Sequence, residues 1–340
     1  MPDIPTTRRP DAVEFAAWIL MAAALFLVLS LDLLTALLGG LLVFELVHMI
    51  APRLQRRLSG RLPQMVAVAI LAALIIGLLT AAVVGIIAFM RSDAGSLPGL
   101  LHKMAEILES ARAALPPWLV ENLPEGTDEL RESLAGWLHE HADDVRLAGA
   151  ETARVFAHVL VGMIIGAMLA LREAVDGTSQ RPLARAISIQ ADRLGDAFRR
   201  VVFAQVRISL INTTLTAIYL ALVLPLLGIH LPLAKTMIAI TFVAGLLPVI
   251  GNLISNTVIV IVSLAYSVPM AIASLTYLIV IHKLEYFLNA RIIGSRIQCR
   301  AWELLIAMLA MEAAFGLGGV VAAPIFYAYV KAELAERGLV

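Results

Sequence analysis

Residues 235–264, KTMIAITFVAGLLPVIGNLISNTVIVIVSL, are apolar nearly throughout but broken near the middle by Gly245, Pro248 and Gly251. A helix needs about 20 apolar residues to cross a hydrocarbon core of about 30 Å. Each arm here has roughly 13 to 15 residues and reaches only roughly 20 to 23 Å at about 1.5 Å per residue. Proline removes a backbone donor and glycine permits the dihedrals of a tight break. A re-entrant hairpin, dipping in and leaving by the face it entered, fits this stretch; one full span kinked at the break is the alternative. Residues 302–331 repeat the design around Gly316, Gly318 and Gly319.

Outward from these two stretches, apolar runs at about 13–29, 33–51, 64–90, 152–171, 206–228 and 267–290 meet or approach the length of a span. The chain is 60% hydrophobic and 15% charged, with a mean hydropathy of +0.89. Soluble domains carry nearly a quarter charged residues, so lipid is the solvent for most of this chain. The 26 basic and 26 acidic residues cancel, leaving no overall field to draw in a nucleic acid.

Local charge sets the orientation, because lysine and arginine collect on the cytoplasmic side. Arg8 and Arg9 precede the first run, and Arg53, Arg56, Arg57 and Arg61 follow the second. Residues 91–150 carry eleven acids against five bases and are expected outside. Both termini are then cytoplasmic. If span five exits outward, the first hairpin enters from outside and the second from inside, giving span plus hairpin twice in opposite orientations. Inverted repeats with broken helices meeting near the midplane recur among transporters.

Four segments follow. Residues 1–90 hold spans one to three. Residues 91–151 form an external domain, with amphipathic helices marked by Leu97 to Leu115 and by Leu130, Leu134, Trp137 and Val145. Residues 152–205 hold span four and a cytoplasmic interfacial helix, whose Leu183, Ile187, Leu194, Phe198 and Val201 make one stripe beside arginines able to snorkel. Residues 206–340 hold both hairpins, the expected transport core.

Freed backbone at membrane depth must be satisfied by protein or water. Asn252, Ser255 and Asn256 stand beside the first break, and Asn212, Thr213 and Thr214 on span five could face them. Packing between helices through such side chains is the competing role for each. Ionisable residues within spans point to function. Glu312 lies four residues before Gly316 in an arm otherwise rich in leucine and methionine; Glu285 and Asn289 are one turn apart near the inner end of span six. Glu45 and His48, near the inner end of span two, read as interfacial.

No P-loop, HExxH or GxSxG occurs, and Gly316-Leu-Gly-Gly lacks the strand context of a dinucleotide site. The nearest approach to a metal site, His139, His141, Asp143 and Asp144, reads as a solvated face of the external domain. The lone Cys299 makes no internal disulfide. Neither catalytic residue, metal nor cofactor is expected.

The same breaks carry a family resemblance. Gln205 at a helix entry, Pro248 with Gly251, Leu284-Glu285 followed by Gly294, Phe315-Gly316 with Gly319, and Ala323-Pro324 resemble the autoinducer-2 exporter family over about residues 10–335. Leu247 precedes Pro248 where the family commonly has isoleucine, Asn252 stands where proline often follows, and Ala290-Arg291 replaces a frequent proline. The resemblance implies a transporter rather than an enzyme, and some relatives are associated with sodium/proton exchange.

The expectation is an all-α polytopic membrane protein with about six full spans, two broken or re-entrant hairpins in the C-terminal half and a small helical external domain. It would sit in a bacterial inner membrane, with the lipid bilayer, a small polar solute, a proton or sodium ion and further copies of itself as partners, and no nucleic acid. A gradient-driven exporter is the leading function. A sodium/proton antiporter, a passive export channel and a scaffold without cargo are the alternatives.

Overall fold

The computed structural model describes residues 11–55, 62–91, 127–173, 181–247, 250–293 and 301–338. Every regular element among them is helical: α1 (Ala12–Ser30), α2 (Leu34–Leu54), α3 (Leu62–Arg91), α4 (Thr127–Glu140), α5 (Ala142–Glu173), α6 (Pro182–Ile218), α7 (Ala234–Gly245), α8 (Ile250–Tyr266), α9 (Val268–Ile293) and α10 (Ala301–Glu336). Among the described residues, five helical stretches are long and apolar enough to cross a membrane: Ala12–Ser30, Leu34–Leu54, Ala142–Arg172, Pro182–Leu226 and Trp302–Glu336. On α5, Ile164, Ile165, Met168 and Leu169 are all exposed, as lipid solvation requires. The chain is an all-α polytopic membrane protein.

The chain divides into two compact units. The first comprises residues 1–76, 150–203 and 294–340; the second comprises 77–149 and 204–293. Residues 206–293 and 294–340, one segment in the sequence reading, fall in different units.

In the first unit α1 and α2 are joined by a three-residue turn. Asp32 adopts the left-handed conformation (φ 55°), and Leu33 N–H reaches back to Val28 O (2.8 Å), a Schellman closure that satisfies a carbonyl left over at the end of α1. On α2 and α5, Ala36-x-x-x-Gly40 and Gly162-x-x-x-Gly166 bring two backbones together. A methyl on Gly40 would stand 2.9 Å from Gly162 O, and methyls on Gly162 or Gly166 would overlap the carbonyls of Ala36 and Gly40. Lipid tails are as apolar as side chains, so close backbone contact supplies the attraction between helices that hydrophobicity does not.

α10 is two arms. Gly316 breaks it with φ 61° and ψ −145°, a combination that only glycine adopts readily. The arms then run side by side. Glu303 on the first accepts from Tyr327 and Lys331 on the second, residues roughly 36 to 42 Å away in an unbroken helix at about 1.5 Å per residue. A methyl on Gly319 would overlap Met311 O across the arms. Ala322 and Ala323 are fully buried, and Phe315 meets Phe26 of α1 edge to face at 5.9 Å.

Two boundaries differ from the sequence reading. Span four and the end of the external domain form one helix, α5, and α6 runs unbroken through residue 205. Only the later part of the stripe assigned to a headgroup surface packs against protein: Leu194 and Phe198 are buried with Ile325, Ala328 and Tyr329 of α10, and Val201 packs on the same cluster, while Leu183 and Ile187 are exposed. No proline interrupts residues 183–218, so nothing ends the helix where a turn was expected. It continues through a π segment, Tyr219–Val223, and stops at Gly228 (φ 78°).

Candidate transport pathway

The second unit presents a polar seam built on α6. Gln205, Ser209, Asn212, Thr216 and Tyr219 recur at steps of four and three residues, one face of a helix. Ser209, Asn212, Thr216 and Tyr219 are buried. Opposite them α7 ends at Gly245, and the last carbonyls of a helix have no partner within it. Side chains from α6 supply the missing donors: Ser209 Oγ donates to Phe242 O (2.7 Å) and Gln205 Nε2 to Gly245 O (2.7 Å). Gly245 has no side chain, and the Ser209 hydroxyl stands 2.7 Å from where its Cβ would be. Asn212 Nδ2 then donates to Asn252 Oδ1 on α8 (3.0 Å).

α7 and α8 pack as a helical pair. Leu247 N–H turns back to Ala244 O (2.8 Å), and a methyl on Gly251 would overlap that same Ala244 carbonyl. The seam continues toward α9 through hydroxyls: Tyr219 OH lies 3.0 Å from Ser274 Oγ, which is 2.7 Å from Ser263 Oγ. Tyr219 stacks on Tyr277 with centroids 4.0 Å apart. Tyr277 OH donates to Leu215 O (2.9 Å), one turn before the π segment.

The residues expected at the first break therefore separate. Asn212 and Asn252 come together, and Ser255 is buried with its hydroxyl donating to Asn252 O (3.3 Å). Asn256 is half-buried on α8. Gly245 and Gly251 are the close-packing positions, while Pro248 lies outside the described residues. Glu285 and Asn289 fall near the end of α9, where side chains are outside the described set. In α10, Gly316 is the break, Gly319 the crossing point, and a methyl on Gly318 would stand 3.9 Å from Leu34 Cδ2. Glu312 is exposed on the first arm, near the exposed Leu305 and Leu309.

Sequence reading missed two charged clusters in the first unit. Glu45, taken as interfacial, is only 6% exposed near the middle of α2. Glu333 receives Arg193, Arg337 Nε (2.9 Å) and Trp18 Nε1 (3.1 Å). The Glu45–Arg199 approach left a faint signal, since Asp192, Asp196 and Arg199 share one face of α6, and Glu333 with Arg337 stands at the i,i+4 spacing of a helical ion pair; Arg193 and Trp18 left none. Among the described residues no group of three or more His, Cys, Asp or Glu could hold a metal.

Gly251→Leu should push α7 and α8 apart and lower transport severalfold at normal membrane levels, because the new side chain meets backbone rather than a movable chain end. Transport at the parent rate by a fully inserted variant would show the close approach to be dispensable.

These features define a polytopic helical membrane protein in which the α7 break is closed by neutral polar side chains of α6. The sequence model of the AI-2E family transporter matches residues 15–336. The chain belongs to the AI-2E transporter family. No curated protein and no solved structure matches it.

Proposed function

We propose that the chain is a gradient-driven exporter of a small polar solute or signalling molecule in a bacterial inner membrane, with both termini cytoplasmic and α7–α8 and α10 as re-entrant hairpins. The observation that carries this reading is the closure of the α7 break. Phe242 O, Gly245 O and Asn252 are held by Ser209, Gln205 and Asn212, hydrogen bonds that a polar solute could replace without stranding a charge in lipid. A seam of amides and hydroxyls offers donors and acceptors but no fixed charge, which suits a neutral solute.

Glu312 supplies the ionisable group on this reading. An exposed carboxylate on an apolar arm is costly against lipid, so water in a pathway or a neighbouring copy of the chain would cover it. Glu285 and Asn289 are the second candidates for coupling.

Efflux from proteoliposomes under imposed proton or sodium gradients, scanned over small polar metabolites, tests the proposal. Export of at least one solute should follow one gradient, and Glu312→Gln should flatten its pH dependence. Flux indifferent to both gradients would identify a passive channel, and absence of flux for every solute would leave a scaffold. With Cys299 replaced, cysteine at Ser110 but not at Ser179 should react with an impermeant reagent in intact cells; the opposite pattern would overturn the orientation.

A further inference from the structure

The first unit contains an acid that the exporter reading does not use. Glu45 is 6% exposed near the middle of α2. Its Oε1 occupies space that a side chain at residue 195 would fill, 2.5 Å from where a Gly195 Cβ would lie. Among the described residues its one charged partner within 4 Å is Arg199, whose Nη1 stands 3.7 Å from Oε2. That distance is too long for a hydrogen bond. Arg199 Nη2 is meanwhile committed to Asp196 Oδ1 at 2.6 Å.

The arrangement leaves the carboxylate removed from water with a share of one guanidinium. Its facing charges are Arg199, Asp196 and Asp192 on α6 and His48 on α2 itself. Proton uptake would remove the cost of a buried charge while Arg199 stays with Asp196.

A partly polar cavity lies about one turn along α2 from Glu45. It has a volume of about 200 Å³ and is lined by His48, Gln55 and Gln64, with Val47, Ala51 and Ala170. The Gln64 Oε1 is buried without a protein partner. A polar cavity of this size with an unsatisfied acceptor suits water, which needs two to four polar partners.

We propose that Glu45 is a proton-binding carboxylate that alternates between an ion pair with Arg199 and a neutral acid. The step is the addition of one proton from water to the carboxylate, with no other bond changed. As the proton site of the transporter it rests on the exporter reading; as a protonation site it does not.

Infrared difference spectra of the full chain in lipid, recorded across a pH series, read the acid directly through its carboxylic C=O stretch. A pH-dependent band should be present in the parent and lost in Glu45→Gln. Arg199→Gln, which removes the cation while keeping Glu45, should strengthen the band at the same pH. A band unchanged in Glu45→Gln, or one insensitive to Arg199→Gln, would overturn the proposal. Should Glu45→Gln fail to reach the membrane, Arg199→Gln decides alone. Proton-driven efflux should fall at least about tenfold in Glu45→Gln, a loss of about 1.4 kcal/mol in the driving interaction. A band lost in Glu45→Gln from a parent without efflux would leave the proton site standing and the exporter reading refuted.

Discussion

Glu333→Ala should destabilise the first unit by about 3 kcal/mol, near the lower end of the range for removing one partner of a buried ion pair. Glu333 has its side chain 11% exposed and receives two arginines, Arg193 and Arg337, each 23% exposed. Gln190 ties the group together. In the amide orientation that gives both its atoms a complementary partner, its oxygen accepts from Arg193 Nη1 (3.2 Å) and Trp18 Nε1 (3.1 Å), and its nitrogen donates to the Tyr329 hydroxyl (2.6 Å). Arg337 also lies over the Trp18 ring at 4.0 Å, a cation–π contact. The cluster thus fastens the second arm of α10 to α1 and α6.

Truncation would strand two arginines only in part. Arg193 keeps Glu336 at 2.6 Å and Arg337 keeps Glu14 at 3.5 Å, but those carboxylates are 64% and 45% exposed and screened pairs of that kind contribute little. Glu333→Gln retains acceptor and shape and should lose less. Denaturant unfolding of the purified protein in detergent compares the three. An alanine variant with the parent's midpoint would show that apolar packing alone seats the arm.

The parts legible in the sequence were those that lipid writes linearly. Hydrocarbon excludes charge over about 20 residues at a time, so the helices through Ala12–Ser30 and Leu34–Leu54 emerge from hydropathy alone. Gly316 was legible because only glycine adopts its dihedrals, and Asn212 with Asn252 because amides inside apolar runs seek partners. The continuity of α6 was not, since its polar first half resembles an interfacial helix until Ile325 and Tyr329 of α10 are seen against it. Glu45 and most of the Glu333 cluster were hidden for a related reason: Arg199 lies more than a hundred residues from Glu45, as Arg193 and Trp18 do from Glu333, and only the Glu333–Arg337 pair follows a helical period. Glu312 was legible as an acid in an apolar arm, but its exposed position depends on how that arm packs.

Gly162→Leu should have the larger effect on assembly, because the space it needs is occupied by backbone. A methyl at residue 162 already overlaps the Ala36 carbonyl, and Gly166 meets Gly40 in the same way one turn further on. Side chains can change rotamer, but a helix must move as a body, so α2 and α5 would separate along the crossing. Overpacking of a core ordinarily costs about 1 to 3 kcal/mol, with larger values where nothing can yield. Separation would also forfeit the close contacts that hold helices together in lipid. A cleft of about 280 Å³ lies beside the crossing, lined by Gly40, Phe44, Ile165, Gly166 and Leu169; the Cβ of residue 162 is directed at Ala36, so the leading carbon of a larger side chain meets backbone before it can enter that space. Gly162→Ala should be measurably destabilised and Gly162→Leu should fall to a small fraction of the parent's folded yield. Gly77→Leu is the control, since no atom lies within 4 Å of a Cβ built there, and it should accumulate normally. Membrane levels and denaturant unfolding in detergent read all three, and equal behaviour of Gly162→Leu and Gly77→Leu would show that the α2–α5 crossing does not hold this unit together.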